Sequence, residues 1–148
     1  MTVVVGVDGS HNSHAAIRLA REEADFRGVP LVVVMAYTDS PAVAPAGRPL
    51  SAPRAPDEQR KIAESILRQA VAEALRGEDT GVELLTEVGS PGHVLVEVAR
   101  SLAARMVVLA TRKERAPARL LGAVSQYVLR NAPCPVLVVP EASKGKSA

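Results

Sequence analysis

The chain has one cysteine, Cys134, and no tryptophan in 148 residues. A single thiol excludes an intrachain disulfide, so nothing calls for an oxidising compartment, and a cytoplasmic setting is expected. Aromatic residues make up only 2% of the chain, as Phe26, Tyr37 and Tyr127. Proteins that read single-stranded nucleic acid stack bases on several exposed rings beside a basic groove. Three scattered rings exclude that mode, and no nucleic-acid partner is expected. Net charge is also small, with eighteen basic residues facing sixteen acidic ones for a formal +2. The two signs are interspersed apart from a short run at 112–119 and Lys144 and Lys146 near the end, so no large field of one sign is implied. No apolar run approaches the roughly 20 residues of a membrane-spanning helix. The start, Met1-Thr2-Val3-Val4-Val5, lacks the charged flank and cleavage site of a signal peptide. The chain is therefore expected to be neither exported nor embedded in a membrane.

Aliphatic residues are abundant. Apolar residues form 47% of the chain, and with so few rings the interior must be filled by Val, Leu, Ile and Ala. A chain of this length is a common size for one domain and buries roughly 68–70% of its unfolded surface. Five short apolar runs read as strands: Val3 to Val7, Leu31 to Tyr37, Val82 to Val88, Met106 to Ala110 and Val136 to Val139. The second, fourth and fifth are apolar almost throughout, the pattern of parallel strands covered on both faces, while the third is mixed enough to lie at an edge.

Helical periodicity separates these runs. Ser13 to Arg27 carries Ala16, Ile17, Ala20, Ala24 and Phe26 as its apolar set, and Gly28 and Pro30 supply the stop. Asp57 to Arg76 carries Ile62, Ile66, Leu67, Ala70, Val71, Ala74 and Leu75, with Asp57 as the expected N-cap and Gly77 as the stop. Ser90-Pro91 opens a third helix with Val94, Leu95, Val98, Ala99 and Leu102 turned inward, and a fourth runs from about Leu121 to Asn131. Strands alternating with helices imply an α/β fold, a doubly wound and mainly parallel five-stranded sheet with helices on both faces. The tract 38–56, with five prolines, reads as an extended loop, and 141–148 as a polar fraying tail, leaving 1–140 as the domain.

In open α/β sheets ligands bind beyond the carboxyl ends of the strands, where the strand order reverses, so the loops after the first and fourth strands carry the interest. The first loop reads Asp8-Gly9-Ser10-His11-Asn12-Ser13. Gly9 permits a tight turn, and Ser10 to Ser13 offer caps for a helix whose N-terminus favours an anion. The same residues are equally read as turn and cap chemistry with no ligand.

Four segments stand out: Val4-Val5-Gly6-Val7-Asp8-Gly9-Ser10 followed by Ser13, Val33-Val34-Met35-Ala36-Tyr37, Val88-Gly89-Ser90-Pro91, and the closing run from Asn131-Ala132-Pro133-Cys134-Pro135 to Pro140. Taken together they resemble the universal stress protein family. The resemblance spans nearly the whole chain and implies an adenine nucleotide alpha hydrolase-like fold with strand order 3-2-1-4-5. It also implies that Asp8 and the backbone at Val7 and Ala36 stand where nucleotide-binding members hold base and ribose. Those members follow their fourth strand with a glycine, two residues, a second glycine, nine residues, then glycine and a serine or threonine. The glycines let backbone N–H groups approach phosphate.

Here Ala110 and Lys113 replace the first two glycines, Gly122 keeps the third, and Ala123, followed by Val124, lacks the hydroxyl. Eight residues rather than nine separate Lys113 from Gly122. The resemblance therefore points to the branch of the family without ATP binding. Against this, Arg112, Lys113, Arg115 and Arg119 offer point charges to phosphate, and ATP or ADP with Mg is the ligand expected if the site works. A solvated basic loop accounts for the same charges.

Other groupings are weaker. His11 and His14 lie three apart beside Asp8, but His93 opens another helix and no metal ligand set emerges. No serine occupies a nucleophile-elbow sequence, so no catalytic residue is assigned. Cys134, between two prolines, reads as a packing residue. Val136, Leu137, Val138 and Val139 fall at a sheet edge in the implied strand order, and the resemblance implies a homodimer through this strand. Pro135 and Pro140 could equally guard a monomer's edge. The expected function is a non-enzymatic stress-response protein acting through contacts with a protein partner, with an ATP/ADP switch as the alternative and slow ATP hydrolysis as a third option.

Overall fold

In the computed structural model the residues described are 1–38, 56–111 and 122–140. β-Branched residues fit the pleated, buried surface of a sheet, and the valine-rich runs form its centre. β1 (Val3–Val7) pairs with β2 (Leu31–Tyr37) on one side and β4 (Met106–Ala110) on the other. β3 (Val82–Val88) adds to β2, and β5 (Val136–Val139) adds to β4. All four pairings are parallel and the order is β3-β2-β1-β4-β5, as the resemblance implied.

Two cores follow from the alternation of side chains along the strands. Val3, Val5, Val7, Val33 and Met35 meet α1 (Asn12–Arg27) and α2 (Pro56–Leu75) on one face. Val4, Val32, Val34, Val107 and Leu109 meet α3 (Pro91–Ser101) and α4 (Ala123–Asn131) on the other. Each fully buried aliphatic side chain contributes roughly 1.5–3 kcal/mol. Gly6 in the middle of β1 keeps the second layer close. A Cβ there would stand 2.5 Å from Leu95 Cδ1.

Several local expectations hold. Gly28 ends α1 in the left-handed region at φ 63°, its N–H reaching the carbonyls of Ala24 and Asp25. Ser90 precedes Pro91 as the N-cap residue of α3, and β3 lies at the edge.

Others need correction. Phe26 is 87% exposed, because it lies two residues, about 200°, around the helix from buried Ala24. Ile62 and Ile66 sit at the exposed margin of α2, whose buried stripe runs through Ala63, Leu67, Ala70, Val71 and Ala74. Asp57 does not cap α2 but lies in its first turn, and the helix ends at Leu75, with Arg76 and Gly77 at φ 51° and 84°. β5 is only half-buried along its length rather than covered on both faces, because an edge strand has one neighbour. α4 starts at Ala123, while Leu121 lies outside the described residues.

Candidate functional site

Val7 pairs with Met35, and Gly6 with Leu109. The next residues therefore line one edge of the sheet: Asp8 beyond β1, Ala36 and Tyr37 at the end of β2, and Ala110 at the end of β4. This edge is where the strand order reverses, the place at which such sheets hold ligands.

Asp8 is held by its own loop. Its Oδ1 accepts from the Ser10 amide at 2.9 Å, the Ser10 hydroxyl at 2.6 Å and the Ser13 hydroxyl at 3.1 Å. The Ser13 hydroxyl also accepts from the Asp8 amide at 3.3 Å. The expectation that Ser10 to Ser13 cap α1 is thus corrected. His11 is the N-cap residue, in helical conformation with no side-chain cap bond, and the serine hydroxyls turn back to the strand end. Gly9 allows this turn at φ 85°, and a Cβ there would lie 2.7 Å from Ile66 Cγ2, so α2 closes over the bend.

Ala36 pairs with Glu87 and packs against the second core. The carbonyl of Tyr37 accepts from the Gly89 amide at 2.9 Å, which joins the end of β2 to the turn before α3. A side-chain hydrogen bond to Tyr37 raises the Arg60 guanidinium above its ordinary range.

The part of the edge that the resemblance assigns to phosphate differs. Ala110 pairs with Val139 and packs against the first core. Gly122 has φ −64° and ψ 166° as the N-cap of α4, a conformation open to any residue, and a Cβ there would meet nothing within 4 Å among the described residues. Ala123 and Val124 open α4 on its exposed side, and among the described residues no side chain caps this helix. Arg112 and Lys113, with Arg115 and Arg119, lie outside the described residues.

A second set of residues joins the edge through tertiary contact. Asp8, Gly9, His11 and His14 face Ile66, Gln69, Ala70 and Glu73 across an open groove of about 430 Å³ between α1 and α2. The His14 Nε2 stands 3.4 Å from Glu73 Oε2, and Gln69 donates to the other oxygen at 2.9 Å. The His11 and His14 rings meet edge to face at 5.2 Å. Among the described residues no three His, Cys, Asp or Glu side chains converge as metal ligands. The spacing of His11 and His14 was legible in the sequence; Glu73, 59 residues further on, was not. Among the described residues no helix is long and apolar enough to cross a membrane.

Comparisons with known proteins agree with this geometry. The profile of the universal stress protein family matches residues 1–140. Universal stress protein Rv2005c of Mycobacterium tuberculosis is 35% identical over 145 residues, which cover 93% of this chain and 47% of that protein. For Rv2623 of the same organism the identity is 33% over 144 residues, covering 93% and 46%. The chain thus spans about half the length of these relatives. Among solved structures, a universal stress protein in complex with cAMP superposes with a TM-score of 0.70 at 31% identity, covering 96% of this chain and 98% of that one. The universal stress protein from Archaeoglobus fulgidus in complex with dAMP gives 0.69 at 27%, covering 93% and 96%. The fold, the order of its strands and the family profile coincide, and the chain belongs to the universal stress protein family.

Proposed function

We propose that this protein is a non-enzymatic, cytoplasmic stress-response module that works as a homodimer through protein contacts and binds ATP weakly or not at all. The observation that carries this reading is the inequality of the two halves of the site. The Asp8 end is organised by three hydrogen bonds to one carboxylate oxygen, while the α4 end offers Ala123 in place of a hydroxyl and, among the described residues, no side-chain cap. A polyphosphate needs the second half, because its charge must be met by converging N–H groups or cations. A nucleoside with a single phosphate needs it less. Both ligands named for the structural relatives, cAMP and dAMP, carry one phosphate, which favours a site that takes its ligand by the nucleoside end. β5 supports the dimer, being a half-buried edge strand paired among the described residues with β4 alone, a ready template for a second copy.

Isothermal titration with Mg-ATP, ADP and AMP tests the reading, after mass spectrometry has shown whether nucleotide co-purifies. The expected result is a Kd for Mg-ATP weaker than roughly 100 μM, about 5.5 kcal/mol, and no gain in affinity from AMP to ATP. Tighter ATP binding that strengthens with each phosphate would instead support an ATP/ADP switch in which Asp8, Ala36 and Gly122 hold the adenosine and the basic loop with Arg112 and Lys113 replaces the lost glycine cradle.

A further inference from the structure

Resting on the reading that Asp8 faces a nucleoside, we infer that Ser13 is the positioning residue of this site. Ser13 is the second residue of α1 and only 2% exposed. A buried hydroxyl must find partners or lose its hydration without return, and a serine at a helix start ordinarily spends its oxygen on the helix's own amides. Here the hydroxyl finds its partners outside the helix. Its hydroxyl accepts the Asp8 amide at 3.3 Å and donates to Asp8 Oδ1 at 3.1 Å. One hydroxyl thus closes a ring through the backbone and side chain of the same aspartate, which restricts rotation about its Cα–Cβ bond. The two further donors, from the Ser10 amide and hydroxyl, meet the same oxygen, so the plane of the carboxylate and the direction of Oδ2 are set together.

An ionised carboxylate only accepts hydrogen bonds. A fixed one therefore selects a ligand that presents O–H or N–H at one place, such as a ribose hydroxyl or an exocyclic amine. Ser10 is more accessible than Ser13, and water can take over its hydroxyl's bond to Asp8. Water cannot reach the place of Ser13 as readily, which makes Ser13 the residue on which orientation depends.

The test is a double-mutant cycle read by AMP titration, with amide exchange as a second readout. Ser13→Ala is expected to weaken AMP binding roughly 10-fold, the scale of a lost hydrogen bond to a charged group, and Ser10→Ala by less than about 3-fold. In an Asp8→Ala background, Ser13→Ala is expected to add almost nothing, because the two residues act as one unit. Equal losses with and without Asp8, or unchanged binding in Ser13→Ala, would overturn the inference. Should the native protein not bind AMP at millimolar concentration, the nucleoside reading fails on its own. The positioning role is then judged from exchange at the Asp8 amide, expected to quicken roughly 10-fold in Ser13→Ala while Val4 and Val5 stay protected. An unchanged Asp8 rate overturns it. Ser13→Cys, close in shape with a weaker acceptor, replaces Ser13→Ala in both measurements if the alanine variant does not fold.

Discussion

Leu95 of α3 rests against the bare Cα of Gly6 in β1. A Cβ at Gly6 would lie 2.5 Å and 2.8 Å from the two Leu95 methyls and 3.1 Å from Leu109 Cδ2. Leu95 and Leu109 are both buried, so neither has open space to move into. The contact lies two residues before Asp8, and it couples the packing of the second core to the strand that carries the site.

Gly6→Ala is expected to cost about 1–3 kcal/mol through overpacking, read as a lower midpoint in urea denaturation with unchanged slope. Leu95→Ala in the same chain should cost less than it does alone, since the new methyl partly fills the cavity it leaves. Simple addition of the two losses would mean that the residues do not compete for the same space.

Gly9 carries two separate penalties for a side chain, its φ of 85° and the Ile66 methyl 2.7 Å away. Gly9→Ala should destabilise by about 1–2 kcal/mol. Ile66→Ala in combination should relieve only the steric part. Complete recovery of the melting temperature would show that the backbone conformation costs nothing.

Phe26→Ser tests the exposed position of that ring, which is 87% accessible. The expected change is within about 0.5 kcal/mol. A loss of several kcal/mol in a thermal melt would place the ring in an interface or core.

Burial raises the Cys134 thiol above its ordinary range, so the neutral form is favoured in the folded protein. The thiolate is the nucleophile. Alkylation by iodoacetamide at neutral pH should therefore be slower folded than in denaturant, and should quicken as pH rises through the elevated value. Equal rates in both states would mean that the thiol is not protected.

Two changes address the proposed function. Restoring the glycine pattern by Ala110→Gly, Lys113→Gly, one inserted residue and Ala123→Ser should create ATP binding by titration, because backbone N–H groups could then approach phosphate. A folded variant that still ignores ATP would show that the loss lies elsewhere. Val138→Glu places a charge on the edge strand and should shift sedimentation toward the monomer; an unchanged oligomeric mass would remove β5 from the interface.

The features legible in the amino-acid order are mostly local. Short apolar runs marked all five strands, Gly28 and Ser90-Pro91 marked helix ends, and the Asp8-Gly9 turn marked the loop at the switch point, because each depends on residues adjacent in the chain. The replacement of the phosphate-loop glycines was legible for the same reason. Tertiary structure alone decided which oxygen Ser13 holds, that Ile66 covers Gly9 and that Glu73 meets His14. These contacts depend on how α1 leaves its turn and how α2 lies across it, which periodicity does not encode. The same holds for Phe26 and β5. A pattern shows that a residue is apolar, but its burial is set by which face of a helix meets the sheet and how many neighbours a strand has.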